Sequence, residues 1–108
     1  MVIYEVNLAI STAIAARFSA WLDLHIKEML ALPGFLAANR YDVESIAPES
    51  TCYCVHYRLQ SDKALDAYFA QHAERMRGAA IALFGDQFSA SRRILRTPSN
   101  AAPGLDHA

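Results

Sequence analysis

The sequence predicts an α+β domain whose elements run β-α-β-β-α-β. Three observations carry that expectation. Two long stretches place apolar residues at helical spacing, four short stretches alternate apolar and polar residues, and Pro or Gly punctuates the joints between them. This order is the split βαβ pattern of ferredoxin-like folds: a four-stranded antiparallel sheet with two helices on one face.

Val2 to Ala9 alternates Val2, Tyr4, Val6 and Leu8 with Ile3, Glu5 and Asn7, as a half-buried strand does. Ser11 or Thr12 can cap the first helix, which runs to about Leu32, where Pro33-Gly34 stops it. Phe35 to Val43 and Thr51 to Leu59 are the next two strands, joined by the loop ESIAPES. Ser61 or Asp62 then caps a second long helix, Lys63 to about Phe84, with Gly85 as its stop. Gly78 weakens the middle of that helix by roughly 1 kcal/mol relative to Ala. Gln87 to Leu95 supplies the fourth strand. The domain is thus expected over residues 1–96, with the Pro- and Gly-bearing segment 97–108 as a disordered tail.

Length and composition narrow the function. The chain of 108 residues suffices for one hydrophobic core, and 54% hydrophobic with 19% charged residues is a globular balance. A net charge of -1 gives no field for nucleic acid. No apolar run reaches the roughly 20 residues that span a bilayer, and the start lacks the basic region of a signal peptide. Cys52 and Cys54, two apart on one strand face, are too strained for a disulfide and too few for a metal site, so a structural thiol pair in a reducing cytoplasm is expected.

Strand alternation assigns two sheet faces. Tyr53, Val55, Tyr57 and Leu59, with Ala37, Asn39, Tyr41 and Val43, form the more apolar set expected beneath the helices. The opposite face mixes Ile3, Glu5, Asn7, Cys52, Cys54, His56, Arg58, Leu36, Ala38, Arg40 and Asp42. Small and apolar groups among charges of both signs suit a partner sheet, with Glu5 pairing to Arg58 or Arg40 across it. A homodimer through this second face, a dimeric α/β barrel, is therefore expected; the alternative is a solvated face on a monomer.

Each helix carries one histidine in its apolar stripe. On a helical wheel His25 lies among Ile14, Phe18, Trp21, Leu22, Met29 and Leu32, and His72 among Leu65, Tyr68, Phe69, Met76 and Leu83. Both rings then point at one tyrosine-rich sheet face. A pocket walled by Trp21, Phe18, Tyr4, Tyr53, Tyr57 and Phe69 would favour a small apolar or aromatic organic ligand. His25 and His72 are the candidate catalytic residues for proton transfer, and a tyrosine hydroxyl could hold a developing oxyanion. No cofactor or metal is required for such chemistry. Arg92, sharing the side of Phe88 and Ile94, is either an anchor for an acidic ligand or a charged strand end. The alternative for both histidines is a core role, each ring satisfied by tyrosine hydroxyls or carbonyls. The protein would then be a structural dimer, a carrier or an accessory subunit.

The segments YEVNL, W-x-x-x-H-x-x-x-M-L-x-L-P-G-F, YRL, HA-x-R-M-R and FG-x-x-FSASRRIL together resemble a small bacterial family of unknown function in the dimeric α/β-barrel superfamily. The resemblance covers roughly Met1 to Leu95. It implies a homodimer, and kinship with antibiotic-biosynthesis-type monooxygenases, haem-degrading monooxygenases, muconolactone isomerases and stress-response barrel proteins. Cofactor-free monooxygenation, isomerisation and decarboxylation are the reaction classes it suggests. Haem-degrading relatives use an Asn on the first strand with a Trp and a His on a later helix. Here Asn7 points away from the helices and Trp21 lies on the first helix, which speaks against that activity.

Overall fold

The computed structural model describes residues 1–98. The chain forms β1 (Val2–Ser11), a 3-10 turn (Thr12–Ile14), α1 (Ala15–Leu30), β2 (Phe35–Val43), β3 (Ser50–Leu59), α2 (Asp62–Gln71), α3 (Ala73–Phe84) and β4 (Phe88–Arg96). The strands make one antiparallel sheet in the order β2-β3-β1-β4. This is the expected ferredoxin-like α+β architecture. Of the expected tail, only Thr97 and Pro98 fall among the described residues.

The core lies between the helices and one sheet face. Val2, Tyr4, Leu8 and Ile10 of β1 and Val55, Tyr57 and Leu59 of β3 are buried against Phe18, Leu22 and Met29 of α1 and Leu65, Tyr68, Met76 and Phe84 of α2 and α3. Burying a large apolar side chain contributes about 1.5–3 kcal/mol, so this layer dominates stability. Ser61 caps α2 by accepting the Ala64 amide at 3.1 Å. Neither Ser11 nor Thr12 caps α1. The Thr12 hydroxyl instead donates to the Pro48 carbonyl at 3.0 Å, tying the turn before α1 to the β2–β3 loop.

Two local irregularities correct the expected faces. Phe35 pairs with Leu59 but Ala37 pairs with Arg58, which leaves Leu36 bulged out of the ladder. Beyond that bulge the strand is inverted relative to simple alternation. Ala38, Arg40 and Asp42 pair with Tyr57, Val55 and Tyr53 and share their helix-facing side, while Tyr41 turns to the open face against His56. Arg40 reaches α1, donating to the Ser19 hydroxyl and to Asp23, both at 2.7 Å. Its expected pairing with Glu5 is thereby excluded.

The second irregularity divides the second helix. His72 has φ −130° and ψ −29°, outside the helical range, and separates α2 from α3. The hydrogen bonds His72 N–H to Tyr68 C=O (2.9 Å) and Met76 N–H to His72 C=O (3.0 Å) persist through the break. The buried stripe nevertheless steps five residues, from Tyr68 to Ala73, before continuing with Met76, Ala80 and Phe84. On an ideal wheel this turns the inward direction by roughly 95°. Ala73 takes the position expected for His72, and Leu83 and Phe69 move outward.

Candidate functional site

A cavity of about 300 Å³ lies between α1, α3 and the sheet. That is the lower end of the roughly 300–1,000 Å³ range typical of small-molecule sites. Its floor is Tyr4, Val6 and Leu8 of β1 with Val55 and Tyr57 of β3. Phe18, Trp21, His25 and Met29 of α1 wall one side, and Met76, Arg77 and Ala80 of α3 the other. Arg92 of β4 completes the lining beside Val6, its cross-strand partner.

Six of the residues expected at the site meet here: His25, Trp21, Phe18, Tyr4, Tyr57 and Arg92. Three do not. Tyr53 lies on the helix-facing side but outside the cavity, beneath the Arg40 guanidinium at 4.4 Å and next to Ser19 and Asp42. Phe69 packs edge-on against Tyr4 from the α2 side, 5.5 Å between centroids, and does not reach the cavity. His72 is held at the helix break, where the Arg75 guanidinium donates to its Nδ1 at 2.9 Å. The shared floor expected for two imidazoles therefore serves one.

His25 is half-buried and stacks on Trp21, with ring centroids 4.5 Å apart and planes 20° from parallel. Burial holds its pKa below the ordinary 6.5, with Glu28 opposing weakly, so the ring is neutral at pH 7. Among the described residues neither ring nitrogen has a protein hydrogen-bond partner. The tyrosines are held neutral as well. Burial pushes the Tyr68 phenol up to about 12 and the Tyr57 phenol higher still, so both remain O–H groups. Tyr4 accepts a hydrogen bond from Arg77 Nη2 at 3.1 Å.

Arg77 was not legible as a site residue. On a straight second helix it lies about 120° from the apolar stripe. The stripe's turn at His72 swings it toward the cavity, and no residue type in the sequence marks that turn.

The open sheet face holds a different cluster. The Glu5 carboxylate is buried there, accepting hydrogen bonds from Arg93 and Asn7 and sharing one with His56 at 2.8 Å. The Arg93 and Asn7 bonds hold the Glu5 pKa down at about 2, against the partial opposition of burial. Glu5 thus pairs within its own chain, to Arg93. Glu5, Cys54 and His56 bring an oxygen, a sulfur and a nitrogen within 4.8 Å of one another. Three features oppose a cation there. Arg93 already neutralises the carboxylate, His56 occupies its second oxygen, and burial keeps Cys54 a thiol.

The fold has solved counterparts. The chain is similar to a cofactor-independent oxygenase, SnoaB of Streptomyces nogalater, at 13% identity, covering 93% of this chain and 96% of that one with a TM-score of 0.65. It is similar to a candidate antibiotic biosynthesis monooxygenase of Deinococcus radiodurans at 14% identity, 94% and 97% coverage and a TM-score of 0.70. It is also similar to a monooxygenase, ActVA-Orf6 of Streptomyces coelicolor, solved with the ligand nanaomycin D, at 16% identity, 94% and 91% coverage and a TM-score of 0.65. At these identities the likeness is one of fold. No curated protein matches the sequence. The model of one family does match, over residues 1–97, and the chain belongs to that family, the domain of unknown function DUF4286.

Proposed function

We propose that this protein binds a small, flat, largely apolar organic molecule in the cavity between its helices and sheet, with His25 as the group that moves a proton on it. The carrying observation is the state of His25. Its imidazole is neutral, stacked on Trp21 and lining a cavity, with no protein partner on either nitrogen among the described residues. A histidine that only stabilises a core would be hydrogen-bonded by that core. A neutral imidazole beside a bound ligand can accept a proton from a phenol or an activated carbon. The Tyr4 hydroxyl, polarised by Arg77, is placed to stabilise the negative charge so formed.

Cofactor-free oxygenation of an electron-rich ring is the reaction class that fits this chemistry, with isomerisation sharing its first step; a decarboxylation would instead lose CO2 first and end on a proton delivered to carbon. The oxygenase names among the structural counterparts are in keeping with it. His72, turned out of the cavity and bonded to Arg75, is assigned a structural role at the helix break. The test is oxygen uptake with 1,4-dihydroxynaphthalene as probe. Uptake above the spontaneous rate is expected for the native protein, and loss of it in His25→Gln. Tight binding with no turnover in either protein would leave a carrier, and an unchanged rate in His25→Gln would remove the histidine from the chemistry.

We also propose a homodimer through the open sheet face. Internal pairing of Glu5 with Arg93 and His56 lowers the cost of covering that face, and Tyr41 and Val43 leave apolar surface on it. Light scattering during gel filtration should give twice the chain mass, and Tyr41→Glu should return a monomer. Among the described residues no helix is long and apolar enough to cross a membrane, and the free thiols Cys52 and Cys54 are compatible with a reducing compartment.

A further inference from the structure

We infer that the molecule bound in this cavity is an anion: a flat aromatic bearing a carboxylate or phenolate, its charge held by Arg77 and Arg92. The inference rests on the cavity reading above and names the chemical class of its occupant. The lining includes two guanidiniums and no Asp or Glu. An arginine side chain keeps its charge at any physiological pH, so an otherwise apolar cavity carries two permanent positive charges. Elsewhere among the described residues Arg40, Arg93 and Arg96 meet a carboxylate, in Asp23, Glu5 and Asp62, whereas Arg17, Arg58 and Arg75 do not. Neither cavity arginine has such a partner among the described residues.

Arg77 shows the deficit most directly. Its Nη2 donates to the Tyr4 hydroxyl, but its Nε is buried and has no acceptor among the described residues. A buried charged donor without an acceptor is costly, and because this atom is closed to solvent a ligand oxygen would meet the terminal nitrogens of the guanidinium, offsetting the deficit through the shared charge. The field of Arg92 converges with it. Both guanidiniums, together with Arg75 outside the cavity, favour the ionised form of Tyr68, against the burial that raises its pKa. Tyr68, Arg77 and Arg92 all line the cavity, so the positive charge of the two arginines faces the same space as that hydroxyl. A planar carboxylate or phenolate suits the donor fork of a guanidinium, while Trp21, Phe18, Met29 and Met76 cover the ring system behind it.

Trp21 is the only tryptophan in the chain and lines the cavity, so quenching of its fluorescence reports occupancy directly. Two probes of matched shape, 2-naphthoate and 2-naphthamide, differ chiefly in charge. The native protein should bind the naphthoate at least about tenfold more tightly, with affinity falling as salt rises. Arg92→Met, on an exposed strand position, should bring the two affinities within about threefold, by a greater loss for the naphthoate than for the amide. Arg77→Met should do the same, and Arg77→Lys, which keeps the charge but not the fork, should recover part of the preference. Equal binding of both probes by the native protein would overturn the anion inference and leave the cavity reading intact. Quenching by neither probe would overturn both.

Discussion

The indole of Trp21 and the imidazole of His25, one helical turn apart, lie face to face on the wall of the cavity. The stack fixes the ring plane, and neither nitrogen has a protein partner among the described residues. Replacing His25 with Ala should therefore cost little stability, about 1 kcal/mol for the lost stacking and contact, while removing proton transfer. Chemical denaturation and turnover measured on the same variant separate the two effects.

The same ring should titrate below 6.5, because burial disfavours its charged form. A lowered histidine pKa means the unfolded chain takes up the proton more readily than the folded one. His25 thus costs nothing at neutral pH and erodes stability as pH falls below about 6.5. An NMR titration of its ring protons should give the lower midpoint, and the proposed proton transfer should weaken as the ring becomes protonated.

Glu5 works in the opposite sense. Its folded pKa of about 2 lies below the ordinary 4.5, so its contribution is complete above that value and is lost as pH falls toward 2. Glu5→Gln should cost about 1–3 kcal/mol at pH 7, as expected for loss of hydrogen bonds to a charged group. Urea melts at pH 7 and pH 3 should converge for the variant relative to the native protein.

Two glycines should respond with opposite signs. Gly34 has φ 84°, and a Cβ there would sit 2.5 Å from the Cβ of Ala64, so Gly34→Ala should destabilise by about 2 kcal/mol or more. Gly78 lies on the exposed side of α3 with open space where a methyl group would go, and Gly78→Ala should stabilise by up to about 1 kcal/mol. Thermal unfolding of the pair provides the check.

Arg40 clamps β2 to α1 through Ser19 and Asp23 and lies over Tyr53. Arg40→Met keeps the stem but loses these bonds, and should cost about 1–2 kcal/mol. Arg40→Lys should recover less than half of that, because an ammonium cannot reproduce the fork.

The strands and the extent of the helices were legible because each has a period that apolar residues mark. Tyr4, Tyr57, Phe18, Trp21 and His25 could be placed from that period alone, and the structure brings them together. Tyr41 and Arg40 exchanged faces because a single bulged residue resets alternation without altering composition. His72 and Phe69 left the cavity, and Arg77 joined it, because one non-helical residue turned the stripe. The Ala73 that replaces His72 in the core is small enough to fit either side of a helix, so its identity gave no warning. Local periodicity therefore located the cavity's sheet and its first helix, and misplaced the groups contributed beyond each break in period.

The displaced Leu36 makes the orientation of β2 a matter of counting. Were Leu36 drawn into the ladder opposite Arg58, each side chain from Ala37 onward would change sides. Arg40 would swing away from Ser19 and Asp23, and Tyr41 would be driven inward beneath α1. Deleting the codon for Leu36 would instead close the ladder with Ala37 still opposite Arg58, and should cost no more than the leucine's own contacts.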